Sequence, residues 1–141
     1  MTTILFPTRG GQSSFPNQDK VIDLAKELGA HLIFLYVSNV EFLNTVSSAA
    51  MVDVVEDELE HMGEFLLAMA QERAEKAGWK ADAVVRSGSF TAALREVIAT
   101  HEVDILALGS PGSGQATTTA KYLEALKERL IKEFNLEVIL L

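Results

Sequence analysis

"VVRSGSFTAALREVIATHEVDILALGSPGSG", Val84 to Gly114, carries a strand, a helix, a second strand and a glycine loop in one unbroken run. Its left end completes "ADAVVRS" (Ala81 to Ser87), rich in β-formers. Leu94, Val97, Ile98 and His101 then recur at helical spacing. "DILALG" (Asp104 to Gly109) is continuously apolar after its first residue, as in a strand covered on both faces. A strand, a helix and a strand in succession make a crossover unit, which joins parallel strands.

The same alternation extends in both directions. "TILFP" (Thr3 to Pro7) and "HLIFLYV" (His31 to Val37) are strands ahead of the unit, and "EVILL" (Glu137 to Leu141) follows it. Val21, Leu24, Ala25 and Leu28 mark one helix, with Gly29 as its C-terminal cap. Leu59, Met62, Leu66, Met69, Ala70, Ala74 and Ala77 predict a longer apolar stripe ending at Gly78. Leu123, Leu126, Leu130 and Phe134 mark the last helix, which Asn135 can cap in a left-handed conformation. Together these predict an α/β fold: an open, Rossmann-like parallel sheet with helices on both faces, one domain over residues 1–141. The irregular stretch "SNVEFLNTVSSAA" (Ser38 to Ala50) suits either a flap over a ligand or an ordinary connection.

Bulk chemistry narrows the function classes. The chain has 141 residues, a formal net charge of −8 and no cysteine, which excludes disulfides, thiolate metal sites and thiol nucleophiles. A surface of that charge repels polyphosphate backbones, so no nucleic-acid partner is expected. No apolar run approaches the ~20 residues of a membrane span, and no signal-type segment precedes the first strand. A cytoplasmic protein without membrane contact is the expectation.

In an open parallel sheet, ligands lie at the carboxyl ends of strands where the strand order reverses. The loops there are "PTRGG", "VSNV" and "GSPGSG". Gly109, Gly112 and Gly114 free the backbone, Ser110, Thr117 and Thr118 add hydroxyls, and a helix N-terminus follows. Free N–H groups and the helix dipole favour an anion at such a place. Yet Gly109 and Gly114 have Walker A spacing without the lysine, since Gln115 and Ala116 follow, and the dinucleotide G-x-G-x-x-G pattern also fails. A phosphate cradle and a turn capped by threonines both fit. Pro7, Thr8 and Arg9 end the first strand, and Arg9 is either an anion-reaching guanidinium or an ordinary surface arginine.

Catalysis finds no support. His31, His61 and His101 have no spaced partner suggesting a metal or a triad. Asp53, Glu56, Asp57, Glu58, Glu60 and Glu64 lie mostly opposite the long apolar stripe and are expected to form a solvated face, with no metal.

The segments "TILFPTRGG", "VIDLAKELGAHLIFLYV" and "VVRSGSFTAALREVIATHEVDILALGSPGSG" resemble the universal stress proteins over nearly the whole chain. The resemblance implies strand order 3-2-1-4-5, which brings "PTRGG" and "GSPGSG" together. It also implies a homodimer through the last strand, residues 137–141. It places a nucleotide or other small phosphate-containing ligand over Pro7, Thr8, Arg9, Val37, Gly109 and Gly112.

The family's ATP-binding branch carries Gly-x-x-Gly, nine residues, then Gly and Ser or Thr. Gly109 and Gly112 match its first half; Tyr122-Leu123, or Glu124-Ala125 counted from the last strand, do not match its second. Arg9 and Gly10-Gly11 replace the family's usual Asp and Gly-Ser. These departures imply a stress-response and signalling module with a degenerate or altered ATP-type site. The alternatives are a working site for ATP or another adenine nucleotide, with slow Mg²⁺-dependent hydrolysis, and a structural partner protein docking through its long acidic helix or the 38–50 stretch.

Overall fold

The computed structural model describes residues 2–9, 14–38, 49–109 and 120–141, with the backbone alone described at 49–56 and 120–123. Along the chain run β1 (Thr3–Pro7), α1 (Phe15–Leu28), β2 (His31–Ser38), α2 (Ala49–Lys76) and β3 (Ala81–Ser87). There follow α3 (Phe90–Thr100), β4 (Ile105–Leu108), α4 (Ala120–Phe134) and β5 (Glu137–Leu140). The strands pair in the order β3-β2-β1-β4-β5, all parallel, as expected. The reversal falls between β1 and β4, where Ile4 aligns with Ile105 and Leu5 with Leu106.

Side chains of a strand alternate between faces, and here each face meets its own pair of helices. Ile4, Phe6, Leu32 and Phe34 pack with Val21, Ile22 and Ala25 of α1 and Leu67, Ala70 and Ala74 of α2. Leu5, Ile33 and Leu35 pack with Leu94, Val97 and Ile98 of α3 and Leu126 and Leu130 of α4. Phe6 and Phe34 meet edge to face, ring centroids 6.1 Å apart, in the middle of the first cluster. The amino ends are tied by Asp104: Thr3 N–H donates to its carboxylate and Glu137 N–H to its carbonyl. Gly29 (φ 61°) and Asn135 (φ 55°) take left-handed caps at the ends of α1 and α4, where the sequence predicts them.

The face that α2 buries keeps Ala70, Ala74 and Ala77 of the expected stripe but departs from it at the two methionines. Met62 and Met69 are exposed, together with Phe65 (65%), whereas Gly63, Leu67, Ala70 and Ala74 face the sheet. The cause is close approach. An added Cβ at Gly63 would stand 2.5 Å from Cδ1 of Tyr36, so only glycine lets the helix lie on that ring. Small residues at this contact turn the larger ones outward.

The 28-residue α2 is about 42 Å long at 1.5 Å per residue, while the seven-residue β3 beneath it spans about 23 Å. Gln71 Nε2 donates to the Ala81 carbonyl at the start of β3, and Ser87 Oγ at its end donates to Glu60. The helix N-terminal to Glu60 therefore extends past the carboxyl ends of the strands.

Candidate functional site

Of the sequence-predicted site residues, the structure describes Pro7, Thr8, Arg9, Val37 and Gly109; Ser110, Gly112, Gly114, Thr117 and Thr118 lie outside the described residues. So do positions 39–48 of the irregular stretch after β2. The described five share the carboxyl side of the sheet. Pro7 closes β1, and Thr8 is buried just past it, its N–H donating to the Leu35 carbonyl of β2 at 2.8 Å. Arg9 is exposed beyond Thr8. Gly109 follows the last residue of β4, the neighbour of β1. Val37 is half-buried near the end of β2 and packs toward the α3–α4 face.

Two further residues, not singled out in the sequence, occupy this end of the sheet. The first turn of α1 reaches both strands at the switch point. Gln18 Nε2 donates to Thr8 Oγ1 at 3.3 Å and to Ser14 Oγ at 3.2 Å. Asn17, one residue earlier, covers Gly109: a Cβ there would be 2.7 Å from its Nδ2. Gln18 is 1% exposed, and its Oε1 has no hydrogen-bond partner among the described residues. A signal for it exists in the sequence, because Gln18, Val21, Ile22 and Ala25 follow helical spacing. It is the polar member of a buried stripe.

A second helix holds this turn in place. Arg73 of α2 grips the Asp19 carboxylate in bidentate fashion, Nε to Oδ1 at 2.6 Å and Nη2 to Oδ2 at 2.9 Å. Its guanidinium carbon also lies 4.4 Å from the centre of the Phe15 ring. The hydrogen bonds from Arg73 hold the Asp19 carboxyl below its ordinary range against the opposing effect of desolvation, and the guanidinium charge adds to them. Residues on both sides of Gln18 are thus fixed from α2.

At the ends of β2 and β3 a hydroxyl relay runs from Ser38 Oγ to Ser87 Oγ (3.2 Å) and on to Glu60 Oε1 (2.8 Å). Glu60 thereby leaves the solvated face expected for the acidic run; Asp57, Glu58 and Glu64 lie on it, and the side chains of Asp53 and Glu56 are outside the described residues. His31 has a partner that spacing did not reveal, Asp82 at 2.8 Å across β2 and β3. That pair, with Ala30, Trp79 and Lys80, lines a surface hollow of about 440 Å³. The hollow lies at the amino ends of the strands, away from the switch point. Among the described residues, no group of three metal-ligating side chains occurs and no helix is long and apolar enough to cross a membrane.

The chain matches the model of the universal stress protein family over residues 1–139. In structure it is similar to a universal stress protein from Lactobacillus plantarum, at 16% identity and TM-score 0.74, covering 99% of this chain and 97% of that one. It is similar also to a universal stress protein in complex with cAMP, at 23% identity and TM-score 0.68, covering 99% and 96%. A family member from Arabidopsis thaliana with AMP bound matches at 14% identity and TM-score 0.62, covering 100% and 91%. No curated protein matches the sequence significantly.

Proposed function

This chain belongs to the universal stress protein family, and from that premise we propose that it is a non-catalytic stress-response and signalling module. Its switch-point crevice takes an adenine nucleotide in an altered mode, with the monophosphate preferred to ATP. Residues 1–141 act as one cytoplasmic domain, paired into a homodimer through the last strand. The observation that carries the ligand reading is the convergence of Thr8, Arg9 and Gly109 at adjacent strand ends, where open parallel sheets bind ligands. Structurally similar proteins with cAMP and AMP bound make an adenine nucleotide the natural candidate.

The preference for fewer phosphates follows from the chain's own residues. Outer phosphates need a point charge or closely approaching backbone N–H groups. The closing Gly-Ser of the ATP-binding branch is missing at Tyr122-Leu123. Glu124, exposed on α4, puts a negative charge near the same place. Among the described residues at these strand ends, Arg9 brings a positive charge.

Purified protein is denatured and any released small molecule identified by mass spectrometry; AMP, cAMP, ADP and ATP are then titrated by calorimetry. Affinity falling from AMP to ATP supports the reading. Tighter binding of ATP, with Mg²⁺-dependent release of phosphate, favours the hydrolase instead. No binding of any of the four leaves a degenerate site and a protein that signals without a nucleotide.

A further inference from the structure

We infer that the Gln18 carboxamide is a ligand-contacting group, accepting the hydrogen of an amino or hydroxyl group of the bound nucleoside. The inference rests on the nucleotide reading above and deepens it. The amide lies at the switch-point end of the sheet: Gln18 is bonded to Thr8 just beyond β1, and its neighbour Asn17 sits on Gly109 just beyond β4. It is buried from bulk water at 1% exposure, and Oε1 is unpaired among the described residues. A polar atom so placed demands a partner, because leaving it dry forfeits its hydration without return.

Rotation of the amide does not remove the demand. The hydroxyls of Thr8 and Ser14 both donate and accept, so either amide atom can satisfy them, and the other is left over. The remaining buried atoms of this kind, Arg95 Nε and His101 Nδ1, belong elsewhere. Arg95 pairs with Glu133 of α4, and His101 ends α3 at the amino side of β4. Gln18 alone among them stands at the crevice. An uncharged amide also suits a base or a sugar better than a phosphate.

The test uses Gln18→Met, which keeps side-chain length and removes both polar atoms. AMP and adenosine are titrated by calorimetry against wild type and variant, and ligand-free thermal unfolding is recorded. The expected result is a fall of about tenfold in affinity for both compounds, with the ligand-free Tm unchanged or raised. A lowered Tm with unchanged affinities overturns the inference and makes Gln18 a structural residue that holds a buried water. A loss confined to AMP overturns it as well, since the contact would then be to phosphate. Failure of wild type to bind either compound overturns this inference and the nucleotide reading together, whereas wild-type binding untouched by the substitution spares that reading. Gln18→Glu covers the case in which the methionine variant does not fold. Its acceptor oxygens should hold adenosine within about threefold, while its charge weakens AMP; equal weakening of both would contradict an acceptor role.

Discussion

Replacing Gly63 by alanine puts two effects of opposite sign in competition. In mid-helix, Gly→Ala gains about 1 kcal/mol of helix propensity. Against that, the new Cβ would lie 2.5, 2.9 and 3.1 Å from Cδ1, Cε1 and Cγ of Tyr36. Ordinary contact needs about 3.5 Å or more between carbons, so ring and helix must separate by roughly 1 Å. Tyr36 is half-buried against the cluster of Phe34 and Leu67 and has no loose end to swing aside. Overpacking of this kind costs about 2 kcal/mol, for a net loss near 1 kcal/mol.

Urea denaturation followed by circular dichroism measures it, with thermal unfolding expected to shift by about 3 °C. The decisive measurement is the same substitution in a Tyr36→Ala background. With the ring gone only the propensity gain remains, and Gly63→Ala should become stabilising by roughly 0.5–1 kcal/mol. An equal effect in both backgrounds, or stabilisation in the wild type, would show that the ring contact does not decide why glycine is there.

Two further outcomes follow from described contacts. Because Arg73 lowers the pKa of Asp19 in the folded state, the pair stabilises fully above the ordinary carboxyl value of 3.8, and the effect drains away as pH falls below it. Asp19→Asn should therefore lower Tm slightly at pH 7, less so in high salt, and by progressively less as pH falls below 3.8; a gap of constant size from pH 7 into that acid range would refute the linkage. Leu140, 42% exposed on edge strand β5, is the better probe of the proposed dimer than the more enclosed Ile139. Leu140→Lys should shift sedimentation toward monomer, and a dimer that persists must form elsewhere.

The strands were legible because burial on both faces leaves little room for polar residues. "HLIFLYV" announces itself, and the observed β2 adds only Ser38. Cap residues such as Gly29 and Asn135 were legible because few residues tolerate a positive φ. The buried face of α2 was so only in part, since the apolar pattern weighs Met62 and Met69 above Gly63, while the helix is seated by what is smallest. Position alone led to Thr8, Arg9 and Gly109. Gln18 and Asn17 were missed because they reach the strand ends from a helix turn, outside the glycine loops where such folds are searched. The Ser38–Ser87–Glu60 relay joins residues distant in sequence, and no local spacing discloses it.

The excess length of α2 has a mechanical consequence. From Ala49 to Glu60 the helix overhangs the strand ends by about 16 Å at 1.5 Å per residue. The overhang is therefore a lever arm, and its support lies about one turn past Glu60, over the sheet, where Gly63 rests on Tyr36. A tilt of 5° about that point, 14 residues or about 21 Å from Ala49, moves the free end by about 1.8 Å. The Gly63–Tyr36 contact and the Ser87–Glu60 hydrogen bond are thus where the arm is held to the sheet.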